Sequence, residues 1–328
     1  MKFILLNDVH LSHRGPQSRL DDWQEAIFGK LAQVTKVAVK VQARAVCIAG
    51  DVFHHKSRIA YHTVLRLMLW ALDLQQQGID VLVIPGNHDE VHDRLDSIDS
   101  QPLGLLFASG AFTDVSLRAK RYTVDAGHAG NDVTVVGLPY PDALTLENFQ
   151  KTIEPRGQGG RALLMAHCFA TSAGGTYFGQ PIHPYSALMH LPYDVFHFGH
   201  DHSDHGVAQS ETGQFFVNIG SLSRGSLSQD DLKREVKIAL VDFAETVTVR
   251  QIKLKVAATS EVFDLALKAQ KDRESKEVEA FVGQLHADLA LAGPVSFKDR
   301  LVKMELPDVV RAKVLTYIDA AEASLQEM

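Results

Sequence analysis

Residues 78–89 read GIDVLVIPGNHD, and this stretch decides the architecture on either side of it. Gly78 closes a helix, because a residue free to adopt positive φ favours a helix C-terminus. Ile79–Ile84 is a short apolar run with the length of a strand, and Gly86-Asn87-His88-Asp89 follows at its end. The same arrangement occurs twice upstream. Lys2–Asn7 is a strand leading into Asp8-Val9-His10, and Ala45–Ala49 is a strand leading into Gly50-Asp51. Helices are expected between them, over Asp21–Gln42 and over Tyr61–Gln77, the second with 3.6-residue apolar spacing. Strand and helix in alternation predict a parallel sheet with helices packed on it. Functional residues of such sheets lie beyond the carboxyl ends of the strands, which is where Asp8, Asp51 and Asn87 fall.

Further along, strands come more densely, at Arg121–Asp125, Val133–Gly137, Ala162–Ala166, Val195–Phe198, Phe215–Asn218 and Val236–Phe243. They predict a second sheet stacked on the first, so the fold class is α/β, two stacked mixed β-sheets flanked by helices. Gly157–Gly160 and Thr171–Gly179 read as loops, the latter carrying the Gly174-Gly175 pair. From about Ala257 the composition shifts. Glu261–Leu291 is a charge-laced amphipathic pattern, Gly293-Pro294 stops it, and Pro307 opens a last helix to about Ser324. The expected organisation is a catalytic domain over 1–255 and a helical C-terminal appendage over 256–328.

The 328 residues are 45% hydrophobic, the composition of a globular protein with a full core. No apolar stretch approaches the roughly 20 residues that span a bilayer. The opening MKFILLNDVH breaks at Asn7-Asp8 without a cleavage-like region, unlike a signal peptide. Cys47 and Cys168 lie in apolar runs and form no CxxC pair, which favours a reducing compartment. A cytoplasmic protein without membrane association is the expectation. The net charge of −7 argues against a broadly basic nucleic-acid binder.

Five motifs carry metal-binding groups: Asp8-Val9-His10, Gly50-Asp51, Gly86-Asn87-His88-Asp89, His167 and Gly199-His200-Asp201-His202. Carboxylate, amide oxygen and imidazole suit Mn²⁺, Fe or Zn²⁺ rather than soft metals. Asp8 and His10, two residues apart, would project the same way from an extended segment, and His200 and His202 repeat that spacing. The Asp51 carboxylate can bridge two cations, with the Asn87 carbonyl oxygen beside it. Two metals about 3.5–4 Å apart clamp the attacking and leaving oxygens of an in-line displacement, and a bridging water of lowered pKa becomes the nucleophile. No Ser, Thr or Cys nucleophile is then needed. The cations also outweigh the charges of Asp8 and Asp51, so an acidic sequence remains compatible with a polyanionic substrate.

The motif order resembles that of the calcineurin-like metallophosphoesterases. Over roughly residues 1–250 the flanking residues resemble the SbcD-type DNA repair nucleases. They are Asn7-Asp8-Val9-His10-Leu11, Gly50-Asp51-Val52-Phe53-His54, Gly86-Asn87-His88-Asp89, the strand into Gly199-His200-Asp201-His202, and Gly220-Ser221-Leu222-Ser223-Arg224. The general pattern at the second motif is GDxxD, and His54 replaces its last residue here, as in the break-repair nucleases. The resemblance implies one metal on Asp8, His10, Asp51 and His202 and another on Asp51, Asn87, His167 and His200, both Mn²⁺. It implies that His88 protonates the leaving oxygen or stabilises transition-state charge, that His54 acts near the scissile phosphate, and that Asp89 supports them from behind. It implies hydrolysis of DNA phosphodiester bonds in repair or recombination, pairing with an SbcC-type ABC ATPase through C-terminal helices, and a homodimer as in some members. Glu261–Ser324 matches the ATPase-docking segment in position, although it is shorter than the capping and docking region of many relatives.

Some residues keep two readings. Arg224 could bind a substrate phosphate bidentately or hold its own loop. Tyr177 and Phe178 could stack on an unpaired base or anchor their loop. Nine of the sixteen histidines, His197 and His205 among them, read as structural, and strand-end geometry would turn His55 away from the metals. Members of the superfamily act on nucleotides, other small phosphodiesters and phosphoproteins with the same ligands, which is the alternative function. A non-catalytic scaffold would have lost ligands, and all seven are present.

Overall fold

Every residue of Ala45–Ala49 is buried, as are all but the first of Lys2–Leu6 and of Asp80–Ile84, so these strands need cover on both faces. The computed structural model, which describes residues 1–56, 59–123, 132–152, 160–290, 311 and 314–316, shows how they obtain it. β1 (Lys2–Leu6), β2 (Ala45–Ala49), β3 (Asp80–Ile84) and β4 (Thr113–Asp114) pair in parallel. β14 (Lys237–Phe243) and β15 (Val247–Lys253) add antiparallel, giving the order β15-β14-β1-β2-β3-β4. A second six-stranded sheet contains β5 (Lys120–Tyr122), β6 (Val133–Leu138), β7 (Arg161–His167), β11 (Val195–Gly199), β12 (Asp204–Gln209) and β13 (Phe215–Ile219). Its order is β12-β13-β11-β7-β6-β5, with the two outermost strands antiparallel to their neighbours.

The period of two along each strand sorts the side chains into layers. Phe3, Leu5, Cys47, Leu82 and Ile84 meet Val135, Leu163, Met165, Val195 and Val217 between the sheets. On the outer face of the first sheet Ile4, Leu6, Val46, Ile48 and Val83 pack on α1 (Trp23–Val41) and α2 (Tyr61–Gln76) through Ile27, Leu31, Val34, Val64, Leu67 and Leu74. Asp22 caps α1, its carboxylate accepting from the Glu25 amide at 3.0 Å. Phe196, Phe198 and Phe216 cover the outer face of the second sheet with Tyr185 and Leu188. The α/β sandwich expected from the sequence is the fold observed.

Val236–Phe243, expected in the second sheet, instead pairs with β1 in the first, and β4, β12 and β15 have no counterpart in the sequence reading. Three further short strands also depart from it. β8 (Phe169–Thr171), β9 (Gly175–Tyr177) and β10 (Gln180–Pro184) form a small sheet in the order β8-β10-β9, where Thr171–Gly179 reads as a loop. Three-residue strands beside a glycine pair, with β9 wholly exposed, offer no apolar alternation to read. The chain divides into two compact units, Met1–Leu265 and Ala266–Met328. The first therefore runs past residue 255: Val262 and Phe263 are buried, and Phe263 lies under the guanidinium groups of Arg19 and Arg224. In the second, the expected amphipathic segment is a helix over Leu265–Ala290. Gly293-Pro294, most of the helix expected from Pro307, residues 157–159 of the glycine loop and the end of the Arg121–Asp125 strand lie outside the described residues. Among the described residues no helix is long and apolar enough to cross a membrane.

One polar group sits inside the sandwich without compensation. His197, on β11 opposite Met165 and Val217, is fully buried, and neither ring nitrogen finds a hydrogen-bond partner among the described residues. Burial pushes its pKa down to about 3. Below the ordinary value of 6.5 the unfolded chain therefore binds a proton that the folded chain refuses until about pH 3. Stability is lost as pH falls through that window, at up to about 1.4 kcal/mol per pH unit from this one residue. His197→Leu is expected to be more stable than the parent at about pH 5. Urea unfolding between about pH 7 and pH 5 should show a pH slope shallower by up to one proton, and an unchanged slope would mean that the histidine is not buried neutral.

Candidate metal centre

The motif residues meet at the carboxyl ends of β1, β2, β3, β7 and β11, where loops from both sheets converge. The turns after β1 and β2 stay paired: the amides of Asp8, His10 and Leu11 donate to Gly50, Asp51 and Val52 at 3.2, 2.9 and 2.9 Å. Asp8, His10 and Asp51 have φ of 51°, 47° and 51°, and His200 has 88°. The alternation argued for an extended segment therefore does not place Asp8 and His10. Left-handed turns aim them at the centre, at about 1–3 kcal/mol of strain per residue. Two glycines make room: a Cβ on Gly50 would lie 2.1 Å from His167 Nδ1, and one on Gly86 would lie 2.2 Å from Asp51 Oδ1.

Potential ligand atoms of Asp8, His10, Asp51 and His202 all lie within 4.8 Å of one another, and so do those of Asp51, His167 and His200. Asp51 belongs to both groups. Its Oδ2 is 3.5 Å from His10 Nε2, and its Oδ1 is 3.5 Å from His167 Nε2. Asn87 Oδ1 completes the second group, 3.1 Å from His167 Nε2 and 2.9 Å from His200 Nδ1. His10 Nε2 and His202 Nε2 face each other at 2.9 Å. When both rings are neutral with Nε2 unprotonated, the two lone pairs converge on one point, so with the Asp8 and Asp51 carboxylates this donor set fits a cation. The residues form a dimetal site of histidine and aspartate groups.

Hydrogen bonds behind the ligands select their tautomers. His167 donates Nδ1–H to the Ala49 carbonyl at 2.7 Å, which leaves Nε2 facing Asp51. His200 donates Nε2–H to Gln180 Oε1 at 2.7 Å, which leaves Nδ1 facing Asn87. Asn7 donates to Asp8 Oδ2 at 2.8 Å. Burial opposes ionisation of Asp51, but the His167 imidazole beside it holds its pKa well below the usual carboxylate range. Burial likewise opposes charge on His167, and Asp51 overcomes it, raising His167 to about 9. Burial, then His167, depresses His200 to about 3, so that ring is neutral and available as a ligand.

His88 and His54 adjoin the first group through His10. The His88 amide donates to Asp51 Oδ1 at 2.8 Å, its Nδ1–H donates to the His54 carbonyl at 2.8 Å, and the two rings stack 5.6 Å apart. Asp89 does not enter the cluster. Its carboxylate accepts the amides of Gly86, Val52 and Phe53 at 3.0, 3.2 and 3.1 Å, tying the second motif to the third, and it is a positioning residue. Arg224 is not placed to bind substrate either: its buried guanidinium donates to the Ala257 carbonyl at 3.0 Å and covers Phe263. Its loop acts as a latch. The Leu222 and Ser223 amides hold the Asn7 and Asp8 carbonyls at 2.8 and 3.2 Å, and buried Lys30 of α1 holds the Leu222 and Ser223 carbonyls at 2.8 and 2.9 Å. Tyr177 and Phe178 are exposed on the small sheet, and Phe169 between them and the cluster lies with its ring 4.3 Å from that of His200.

The sequence reading names Asn7 only as part of the first motif and gives no role to Gln180, Phe169 or Lys30. Lys30 alone left a signal, a cation on the apolar stripe of α1 between Ile27 and Leu31.

A profile of the calcineurin-like phosphoesterases matches residues 1–204, so the chain belongs to that family of metal-dependent phosphoesterases. Among curated proteins none matches the sequence significantly. One solved crystal structure is 12% identical, with a TM-score of 0.46, and the match covers 77% of this chain and 99% of the other. A dimetal phosphatase from Danio rerio is 13% identical, with a TM-score of 0.44 and coverage of 78% and 99%.

Gln180 orients His200 without touching the cluster's centre. Gln180→Leu is expected to weaken divalent-metal affinity about 10–100-fold, the usual effect of losing such a partner. Gln180→Glu, which keeps the acceptor, should retain most of it. Chelator competition at equilibrium reads both; equal affinity in all three proteins would remove Gln180 from the site.

Proposed function

We propose that the chain is a two-metal phosphodiesterase that cleaves DNA, a nuclease of the SbcD type. The observation that carries this reading is the opening of the cluster on two sides. One cavity of about 270 Å³ lies against His10, His54 and His202, floored by Trp23 and Pro16. Another of about 410 Å³ lies against His200 and His202, walled by Phe169, Tyr177 and Ile182. A phosphomonoester needs room for one substituent, whereas a diester needs room for two. His202 borders both spaces, so a phosphate at the cluster has a place for a nucleoside on each side.

The donors fit two divalent cations, one on Asp8, His10, Asp51 and His202 and the other on Asp51, Asn87, His167 and His200, with Mn²⁺ the metal we propose. When bound, the pair supplies Lewis-acid polarisation of the phosphoryl oxygens and lowers the pKa of a water. The chain's own residues do the rest. With Nδ1–H committed to the His54 carbonyl, His88 has Nε2 left to carry a proton for the leaving oxygen. His54, stacked on His88, borders the 270 Å³ cavity and so faces the departing group.

Two partnerships belong to the same proposal. The charged helix Leu265–Ala290, with Val278 exposed, is the docking element for an ABC-type ATPase. Tyr61, Leu65 and Leu69, exposed at four-residue spacing on α2, and Leu105 on neighbouring α3 (Pro102–Ala108) make an apolar stripe suited to a homodimer. A cytoplasmic location accompanies these roles.

His88→Ala is expected to retain its metals and lose about 10²–10⁴-fold in turnover of end-labelled DNA with Mn²⁺. Metal analysis and a cleavage time course check both parts, with Asp8→Ala as the metal-site control. DNA left intact by the parent while bis-p-nitrophenyl phosphate is hydrolysed rapidly would assign the site to a smaller diester. The double variant Leu65→Glu/Leu69→Glu should sediment as a monomer if the stripe is a dimer contact; a monomeric parent would dismiss the homodimer.

A further inference from the structure

The hairpin of β9 and β10 turns at Phe178-Gly179, two residues with φ of 48° and 80°. A two-residue turn with both φ positive favours Asn-Gly, and a bulky ring at its first position is an outlier. Phe178 is also 92% exposed, and Tyr177 beside it is 52% exposed. Strain and exposure both count against an aromatic residue whose only role is to close a hairpin. The rings nevertheless form a connected series. Phe178 lies 4.6 Å from Tyr177, Tyr177 lies 5.2 Å edge-on to Phe169, and Phe169 lies 4.3 Å from the ring of His200. The series thus runs from solvent to the dimetal site: Phe169 and Tyr177 line the 410 Å³ cavity with Thr171 and Ile182, and Phe178 packs on Tyr177 outside that lining.

An apolar partner protein or a membrane surface would use the outer rings alone. Only a group attached to the phosphate at the cluster uses the whole series, because the cavity begins at His200 and His202. Its walls are aromatic and aliphatic, and its polar residues gather at the His200–His205 end. That chemistry suits a flat, hydrophobic, hydrogen-bonding ring, and a base can lie against it only when it has left its own stack. We propose that Phe169, Tyr177 and Phe178 form a stacking subsite for an unpaired nucleobase next to the scissile phosphate. The chain then selects frayed or single-stranded DNA over continuous duplex. This rests on the phosphodiesterase reading above and adds to it the state of the substrate.

Two measurements separate the subsite from that reading. The first is binding of a short single-stranded oligonucleotide carrying 2-aminopurine, whose fluorescence falls when the base stacks. The full chain should quench it; Phe178→Ala and Tyr177→Ala should weaken binding about 10–100-fold, as expected for loss of one base–aromatic stack, and Tyr177→Phe should restore it. The second is the ratio of kcat/KM for single-stranded DNA to that for bis-p-nitrophenyl phosphate, which should fall by a similar factor in the two alanine variants, mainly through KM. Quenching without DNA cleavage would leave the subsite standing and overturn the nuclease reading. Absence of quenching, equal quenching in parent and alanine variants, or faster cleavage of continuous duplex than of single strands would overturn the subsite.

Discussion

The carboxylate of Asp51 is the point on which the rest of the structure depends. One oxygen faces His10 and the other faces His167, and the His88 amide donates to the second. A single side chain thereby joins the turns after β1, β2 and β3 in the first sheet to the end of β7 in the second. It can do so only because Gly50 and Gly86 leave no Cβ in the way. Either glycine replaced by alanine would press a methyl group into His167 or Asp51, so these glycines belong to the site as firmly as its ligands do. Their place directly before Asp51 and Asn87 has this steric cause.

Gathering these groups is costly without a counter-charge. Asp8 and Asp51 are buried, four of the neighbouring residues are imidazoles, and four backbones lie in the left-handed region. Removal from water disfavours the charged forms, and the cluster brings the His10 and His202 nitrogens to 2.9 Å of each other. Opposite shifts at adjacent groups express the conflict: Asp51 is held ionised and His167 protonated, while His10 and His200 are held neutral. Divalent cations resolve it, because neutral imidazole and ionised carboxylate are the ligand forms, and their binding energy then supports the fold itself. The latch of Lys30, Leu222 and Ser223 and the Asp89 clamp serve the same end, holding strained turns that local preference would release.

Much of this was legible in the chain. Strands buried on both faces leave unbroken apolar runs, so Ala45–Ala49 was read to the residue and Lys2–Asn7 and Ile79–Ile84 to within one. The seven candidate ligands stood out because their motifs recur at strand ends. The route by which Asp8 and His10 reach the centre did not, since left-handed turns leave no mark on residue spacing. Arg224 could be read as a phosphate ligand or as an anchor, and only burial against Phe263 distinguishes them. His197 and His200 look alike on one apolar strand and its end, yet one is sealed between sheets and the other faces Asn87 and Gln180.

The small sheet was the least legible part, and the reason bears on what it does. Its strands follow neither a two-residue nor a 3.6-residue period, because β9 is exposed along its whole length and its tip residue opposes the turn it occupies. A segment under selection for stability alone would show a turn residue at position 178 and polar groups along an exposed edge. The family core, with ligands on rigid strand ends, provides phosphoester chemistry that many substrates could use. What distinguishes one substrate from another must therefore come from elements that the core does not need. The hairpin after His167 is such an element, inserted between His167 and His200, tied to the cluster by the Gln180–His200 hydrogen bond and lining the 410 Å³ cavity with Tyr177. A change of hairpin length or ring content would alter which group fits beside the phosphate while leaving the dimetal cluster in place.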